Sequence, residues 1–378
     1  MDATTNKEFS SGVQMQDTYY DSVSINIFGK VHNYNKDISS AGTTVDIDEI
    51  IEQISKDNKQ KDDFYTVTIT AMDKAGNTSK IVRYFAINRN GSIFILGDSA
   101  AKLVDQKYTN NPNDYACITI QERNVDPIKI SKSVLQLSVD GKLGTLKSGD
   151  DYTVAGGSTR ENNGYYTVIY AINAPVFDND ALYKLLITSH DAAGNTSKNS
   201  NKKGMAPDAD KLPIFTFIHD ETAPTIEINL DESKKDGWYS IAAGEYTVTF
   251  KPIDTGSGIN YDSVNLTIGK GDDAQVIMLG DEQYQFNFDK ETGEYSFVLK
   301  GNYSDVTFNY EDNAGNAFEQ LVFKHITVSS NALARFFYNT PLFVGTLAGI
   351  VAVAAVVIIL VARRKKKAAA AAEQGAEN

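Results

Sequence analysis

Cysteine, histidine and tryptophan are scarce in this chain of 378 residues, which holds one cysteine, four histidines and one tryptophan. The single cysteine, Cys117, excludes an intramolecular disulfide, and so few cysteine and histidine side chains cannot supply a zinc site of the cysteine-rich kind. Basic residues are also in the minority, 36 against 49 acidic ones, which gives a net charge of -13. Because negative charge opposes binding to a polyanion, nucleic acid is excluded as the main partner.

Sequence patterns of catalysis are lacking as well. His190 and Asp191 are neighbours, but neighbouring residues of a strand face opposite sides of a sheet, and no G-x-S-x-G serine or H-E-x-x-H pair accompanies them. Residues 256–258, Gly-Ser-Gly, do not follow a strand and open a helix as a phosphate-binding loop does. Cys117 lies in the apolar run 115–120, where a cysteine packs as a small hydrophobic residue. We therefore predict a protein that is not an enzyme.

One long uncharged run is present near the C-terminus. No charged residue occurs from 336 to 362, and residues 342–362 are almost wholly apolar. As a helix these residues rise about 31 Å, enough to cross the hydrocarbon core of a bilayer. Five cations close the run: Arg363, Arg364, Lys365, Lys366 and Lys367. Because such clusters stay on the cytoplasmic side, we predict a single-pass cell-membrane protein, with the N-terminal region outside and the C-terminal tail in the cytoplasm.

Gly345 and Gly349 form a G-x-x-x-G pattern within the apolar run. Two small residues one helical turn apart let two membrane helices approach closely. A helix dimer with this face at its centre is therefore an alternative to a monomeric anchor.

The first residues of the chain fit poorly with an exported domain. Residues 1–6 show neither the basic segment nor the apolar segment of an export signal. We therefore expect either that the chain is the C-terminal part of a longer exported protein or that the gene's start has been placed too late.

The pentapeptide Asp-x-Ala-Gly-Asn occurs three times. Its Asp, Gly and Asn positions are Asp73, Gly76 and Asn77; Asp191, Gly194 and Asn195; and Asp312, Gly315 and Asn316. The copies are 118 and 121 residues apart, the size of a whole domain. Each copy follows a run that alternates apolar and polar residues and precedes another β-rich run. Asp accepts bonds from nearby backbone N–H groups and Gly adopts positive φ, so we predict a tight turn between antiparallel strands.

A single stretch departs from this β pattern. Ile47, Ile50, Ile51 and Ile54 follow the i, i+3, i+4, i+7 spacing of one helix face. This spacing predicts a crossover helix packed on the first domain.

The order of alternating strand, pentapeptide turn, closing strand and linker 220–226 (Asp-Glu-Thr-Ala-Pro-Thr-Ile) resembles the tandem bacterial immunoglobulin-like domains of large surface proteins. Residues 254–259, Asp-Thr-Gly-Ser-Gly-Ile, are similar to a segment found early in such domains. The resemblance covers residues 20–328 and implies an all-β fold of three tandem Ig-like β-sandwich domains followed by a single C-terminal transmembrane α-helix. The first linker, 88–92, departs from the family in lacking the Thr-x-Pro pattern, and no Leu-Pro-x-Thr-Gly sorting signal precedes the apolar run.

The predicted organisation follows from these features. Three Ig-like domains span residues 15–88, 89–219 and 220–329, followed by a juxtamembrane segment at 330–340, a membrane helix at 341–362 and a basic, alanine-rich tail at 363–378. The leading functional hypothesis is a non-catalytic stalk or spacer whose partner is the lipid bilayer. The alternative is an adhesin that binds a glycan or a host or matrix protein through one of the Ig-like domains.

We expect no cofactor, with calcium as the one alternative. Calcium takes hard oxygen ligands, and acidic groups lie close to the second domain boundary. The candidate ligands are Asp220, Glu221 and Asp254. Against this hypothesis stands the simpler interpretation that acidic loop residues are only solvated.

Overall fold

The computed structural model describes residues 2–5, 12–14, 20–40, 44–57, 61–207 and 209–374. The predicted start of the first domain at residue 15 and the last four residues of the predicted tail lie outside these ranges. Strands in several sheets dominate the described residues, with a long apolar helix near the C-terminus. The prediction of an all-β fold followed by a C-terminal helix is confirmed. The chain divides into two compact units, Met1–Thr222 and Ala223–Asn378, so the predicted boundary at 88/89 falls inside the first unit.

Module 1 comprises β1 (Asp2–Thr5), β2 (Gly12–Gln14), β3 (Tyr20–Gly29), β4 (Tyr34–Ser40), β5 (Thr44–Asp46), α1 (Ile47–Asp57), β6 (Asp63–Asp73) and β7 (Thr78–Ile87). One five-stranded sheet has the order β1-β7-β6-β3-β4, and β2 pairs with β5. Helix α1, at the position that the isoleucine spacing predicts, buries Ile50 and Ile54 against alternate residues of β3 and β6. In the described residues the core of module 1 therefore lies between the five-stranded sheet and helix α1.

Module 2 is a two-sheet sandwich that follows in the same unit. Its elements are β8 (Ile93–Leu96), α2 (Asp98–Gln106), β9 (Tyr108–Thr109), β10 (Ile118–Asn124), β11 (Val134–Val139), β12 (Lys142–Thr145), β13 (Tyr152–Arg160), β14 (Tyr166–Ile172), β15 (Ala181–His190), β16 (Thr196–Lys198) and β17 (Phe215–His219). The sheets run β13-β14-β10-β8 and β12-β11-β15-β17-β9, with β16 on β15. Buried aromatic residues such as Tyr170 and Phe217 fill the space between them. The Tyr183 hydroxyl donates to the Asn179 carbonyl at 2.8 Å, as in the tyrosine corner of sandwich domains.

Module 3 is a second sandwich, in the second unit. Its strands are β18 (Thr225–Ile228), β19 (Tyr239–Ile241), β20 (Tyr246–Ile253), β21 (Asn265–Ile268), β22 (Gln275–Ile277), β23 (Asn287–Asp289), β24 (Glu294–Leu299), β25 (Gly301–Asn309) and β26 (Leu321–Val328). They form sheets of order β18-β20-β24-β23 and β19-β26-β25-β21-β22. The core between the sheets contains Phe250, Phe297 and Phe308, all nearly inaccessible to solvent.

Two helices follow module 3, α3 (Ala332–Tyr338) and α4 (Thr340–Gln374). Residues Thr340–Ala368 of α4 are long and apolar enough to cross a membrane, and an 18-residue window within them has a mean hydropathy of 2.9 and no part buried in protein. Gly345 and Gly349 lie in α4 with open space where a Cβ would stand, and a dimer through them stays a prediction.

The juxtamembrane helix α3 packs on module 3. The Asn331 side chain caps its first turn by accepting from the N–H groups of Leu333 and Ala334. At the other end, the Tyr338 hydroxyl donates to the Tyr303 carbonyl at 2.9 Å, and its ring meets Trp238 edge-on at 5.4 Å. The predicted juxtamembrane segment is therefore ordered and attached to the sandwich that precedes it.

Candidate functional site: the buried junction within residues 1–222

The three pentapeptides form turns of one geometry in different surroundings. In each, the Asp Oδ1 accepts from the Asn backbone N–H, at 2.8 Å for Asp73, 2.7 Å for Asp191 and 2.8 Å for Asp312. The glycines Gly76, Gly194 and Gly315 have φ of 86°, 92° and 91°, a region that favours glycine. Asp73 lies near the surface, whereas Asp191 and Asp312 are each 1% exposed. The second turn thus brings a carboxylate into the interior of the first unit.

Asn88 is the centre of a buried polar network between modules 1 and 2. It directly follows β7, and its side chain is fully buried. Its amide Nδ2 donates to Asp191 Oδ2 at 2.8 Å, to Asn124 Oδ1 at 2.9 Å and to Asp126 Oδ2 at 3.0 Å. Its Oδ1 accepts from the Gly91 N–H at 3.1 Å. One amide from the end of module 1 therefore joins three groups of module 2.

Asp191 connects this network to the pentapeptide turn. Besides Asn88, its Oδ2 accepts from Asn124 Nδ2 at 3.1 Å and from Asn195 Nδ2 at 2.9 Å. Asn195 Nδ2 also donates to the Asn88 carbonyl at 3.2 Å. Buried polar groups are costly unless they are hydrogen-bonded. The bonds of Asn88 cross from module 1 to module 2, whereas those from Asn124 and Asn195 to Asp191 lie within module 2. Separating the modules would break several of the Asn88 bonds at once.

A small apolar cluster adjoins the polar network. Phe64 of β6 and Ala86 of β7 are paired across the module 1 sheet and pack with Val125 of module 2. The Arg160 guanidinium of β13 lies over the Phe64 ring at 3.7 Å from its centre and donates to the Val125 carbonyl. Cation–π contacts of this kind strengthen as they lose water. The two modules therefore share both a polar and an apolar contact.

The linker itself is held by a carboxylate of module 1. Asp62 accepts from the backbone N–H of Arg89 at 2.8 Å and of Asn90 at 2.9 Å. On the other side, Ser197 Oγ accepts from the Ser92 N–H at 2.8 Å. These bonds satisfy the backbone of a short connection that would otherwise be free to move. They fix the linker to both modules, which is consistent with residues 1–222 forming one compact unit.

Several buried carboxylates of the first unit have raised pKa values, among them Asp126 and Glu122. Burial raises the pKa of Asp126 to about 6 from its ordinary 3.8, and the nearby Asp191 carboxylate adds to the effect. Burial also raises the pKa of Glu122, whose oxygens accept from the Tyr170 hydroxyl at 2.6 Å and from Ser189 Oγ at 2.5 Å. Raised pKa values mean that the folded chain holds protons that the unfolded chain has already released.

We expect the first unit to become more stable as the pH falls from about 7 to about 5. In that window the folded state binds more protons than the unfolded state, so the free energy of unfolding rises with acidification. Asp126→Asn removes one of these groups without changing its shape, and we expect a flatter pH profile and higher stability at neutral pH. Urea denaturation of residues 1–222 at several pH values measures both. A profile for Asp126→Asn as steep as that of the unaltered fragment would contradict this assignment.

Sequence reasoning missed most of this junction. Asn88, Asn124 and Asp126 lie at strand ends or beside them, where polar residues usually indicate loops. Phe64 carried a usable signal, because it lies two residues before Thr66 on the polar face of an otherwise alternating strand. A large aromatic residue on the solvent face of a strand indicates that something covers it.

The predicted calcium ligands lie in two different units. Asp220 is fully buried and accepts from the Thr222 N–H at 3.1 Å, and the Glu221 side chain is 58% exposed. In the second unit, Asp254 accepts from the N–H groups of Gly256 and Gly258 at 3.0 and 2.6 Å. Calcium binding by these residues stays a prediction.

Cys117 is exposed, so the expectation that it packs in a core is wrong. The run 115–120 is not one strand, because β10 begins only at Ile118. Tyr115, Ile118 and Ile120 are the residues of the run that enter the core, and Cys117 lies in the turn between Tyr115 and Ile118.

No protein-family model matches the chain, and no curated protein matches it. Among solved structures, the chain is similar to part of a 1.5-MDa bacterial ice-binding adhesin, at 14% identity over 82% of this chain and 88% of that one, with a TM-score of 0.25. It is also similar to a tetra-tandem repeat from the extending region of a large adhesion protein, at 13% identity over 85% and 72%, with a TM-score of 0.28. Cadherin domains 3–6 of protocadherin gamma B2 match at 10% identity over 87% and 70%, with a TM-score of 0.26. Scores this low do not establish a shared function.

Proposed function

We propose that the chain is the membrane-anchored stalk of a bacterial cell-surface protein, built from Ig-like modules and without catalytic activity. The observation that carries the proposal is the buried junction around Asn88, which joins modules 1 and 2 into one unit. Domains in one chain usually move relative to each other unless their interface is extensive. A stalk needs the opposite property, and a network of buried cross-module bonds supplies it.

The membrane end supports the same proposal. Helix α3 directly precedes the apolar helix α4 and is bonded to module 3 through Tyr338 and Trp238. Because close-packed elements move together, packing of α3 on module 3 holds this module in place next to the membrane anchor. The region before residue 335 lies outside the cell in this proposal, and Arg363 to Lys367 hold the tail in the cytoplasm.

The exposed lone cysteine makes this topology testable. We expect a membrane-impermeant maleimide to label Cys117 in intact cells that make the protein. As the control, a Cys117→Ser, Ala368→Cys variant places the only thiol behind the five cations and is labelled only after lysis. Labelling of the control, and not of the natural chain, in intact cells would reverse the proposed orientation.

Calcium binding is a separate proposal, restricted to Asp220, Glu221 and Asp254. Residues 1–222 lack Asp254, and at the first junction the Asn88 amide already donates to the carboxylates Asp126 and Asp191. We therefore expect calcium to leave residues 1–222 unaffected. Melting residues 1–222 and 1–335 in calcium and in EGTA tests both statements. Equal melting temperatures of the longer piece in the two conditions would refute calcium binding.

A further inference from the structure

A cavity of about 400 Å³ opens beside the junction in the first unit. Its walls come from the linker at Asn90 and Gly91, from Arg123 of β10, and from the segment between β16 and β17 that includes Lys202 and Lys203. Pockets of this size hold small organic ligands. The stalk proposal gives this cavity no role.

Positive charge is concentrated around this cavity, in a chain whose net charge is -13. Four cationic side chains line it: Lys61, Arg123, Lys202 and Lys203. Asp62 is the one carboxylate among the described residues of its lining. Both Asp62 oxygens accept N–H groups of the linker, so this carboxylate is directed at the backbone. The cavity thus favours an anion.

Among the four cations, Arg123 has a buried donor atom that a ligand could satisfy. Its Nε is shielded from solvent and has no hydrogen-bond partner within the described part of the chain. No ion pair of the described residues includes any of the four cations. A buried donor without a partner costs free energy. A carboxylate that binds side-on to the guanidinium would satisfy Nε and an adjacent Nη together.

The rest of the lining is largely apolar. Ile93, Val125, Tyr165 and Met205 contribute to the walls. Ile93 lies directly opposite Arg123 in the pairing of β8 with β10, which places an apolar position beside the guanidinium residue. A ligand held there gains by burying apolar surface next to its charged group. Inorganic anions have no such surface to bury.

We propose that this cavity binds an organic carboxylate with an apolar body. The carboxylate pairs with Arg123, with Lys202 and Lys203 adding charge at the rim, and the apolar body packs against Ile93, Tyr165 and Met205. The C-terminus of a peptide and a free small acid share this chemistry. The proposal does not depend on the stalk function, and neither one fails with the other.

The test is calorimetric titration of the full chain in lipid nanodiscs with N-acetyl-L-leucine and, as the neutral isostere, N-acetyl-L-leucinamide. We expect saturable binding of the acid and at least roughly tenfold weaker binding of the amide. Arg123→Gln should weaken acid binding by roughly tenfold or more. The exposed pair Lys202→Gln, Lys203→Gln should weaken it as well, whereas Lys142→Gln, an exposed lysine outside the cavity, should not. If the melting curve shows that Arg123→Gln is unfolded, the affinity of the Lys202→Gln, Lys203→Gln variant for the acid decides the test.

The outcomes separate the parts of the proposal. Equal binding of acid and amide, or no saturable binding of either, would overturn it. D-glucuronate, a carboxylate with a polar body, should bind more weakly than N-acetyl-L-leucine, and equal affinity would refute the role of the apolar wall. A tripeptide acid ending in leucine that binds more tightly than N-acetyl-L-leucine would identify a chain end as the source of the ligand, and equal affinity would favour a free acid.

Discussion

Replacing Asp191 with alanine is expected to cost residues 1–222 about 3 kcal/mol of stability, the upper end for hydrogen bonds to a charged group and for a buried donor left without a partner. The substitution breaks the pentapeptide turn and also removes the acceptor that Asn88 and Asn124 share. Asn88 Nδ2 keeps two acceptors, Asn124 Oδ1 and Asp126 Oδ2, whereas Asn124 Nδ2 keeps only Ser92 Oγ for its two N–H groups. One buried N–H group is therefore left without a partner. Urea denaturation monitored by intrinsic fluorescence gives the loss directly.

The first pentapeptide provides a matched control. Asp73 makes the same turn bonds, accepting from the Asn77 N–H and from Asn77 Nδ2, each at 2.8 Å. It lies outside the junction, so Asp73→Ala should cost only about 1 kcal/mol, the usual value for exposed hydrogen bonds. The difference between the two variants isolates the contribution of the buried network. Equal losses would show that the network adds nothing beyond the turn.

Replacing Phe64 with alanine is expected to lower the stability of the same fragment by about 3 kcal/mol, toward the lower end for a buried phenylalanine. The ring is 8% exposed, stacks on Tyr84 at 6.0 Å and lies under the Arg160 guanidinium. Its removal leaves a cavity between the modules and takes away one of the two rings that Arg160 contacts, the other being Tyr166 at 4.6 Å.

Phe28 supplies the control for this second substitution. It lies on β3 in the same module and is 37% exposed. Since more than a third of this residue is already exposed, its shortening loses less buried apolar area than that of Phe64, and Phe28→Ala should cost only about 1 kcal/mol. If Phe64→Ala proves as mild as Phe28→Ala, the apolar half of the junction contributes no stability.

Local patterns predicted the local structure of this protein. The spacing of Ile50 and Ile54 predicted helix α1, and the alternation before each pentapeptide predicted the paired strands around Asp73 and Asp191. Such signals depend on residues within a few positions of each other. They extend to the apolar run of α4, whose membrane-spanning length can be read from composition alone.

The junction could not be predicted in the same way. Asn88 and Asp191 meet across 103 positions of the chain, and nothing near either residue indicates the other. The pentapeptide predicts the turn, but the burial of its Asp depends on what packs above it, which differs between Asp73 and Asp191. Cys117 shows the reverse error, because its apolar neighbours indicate a buried position although the first residues of the run form an exposed turn.

The most direct test of the account is a distance measurement across the junction. Spin labels at Lys80 of β7 and Lys142 of β12, both exposed, would be placed in a Cys117→Ser background of the full chain in nanodiscs. Pulsed electron paramagnetic resonance then reports the distribution of distances between modules 1 and 2. The account predicts one narrow distribution, which broadens in the Asp191→Ala variant. A broad or multiply peaked distribution in the unaltered junction would contradict the claim that modules 1 and 2 form one stiff unit.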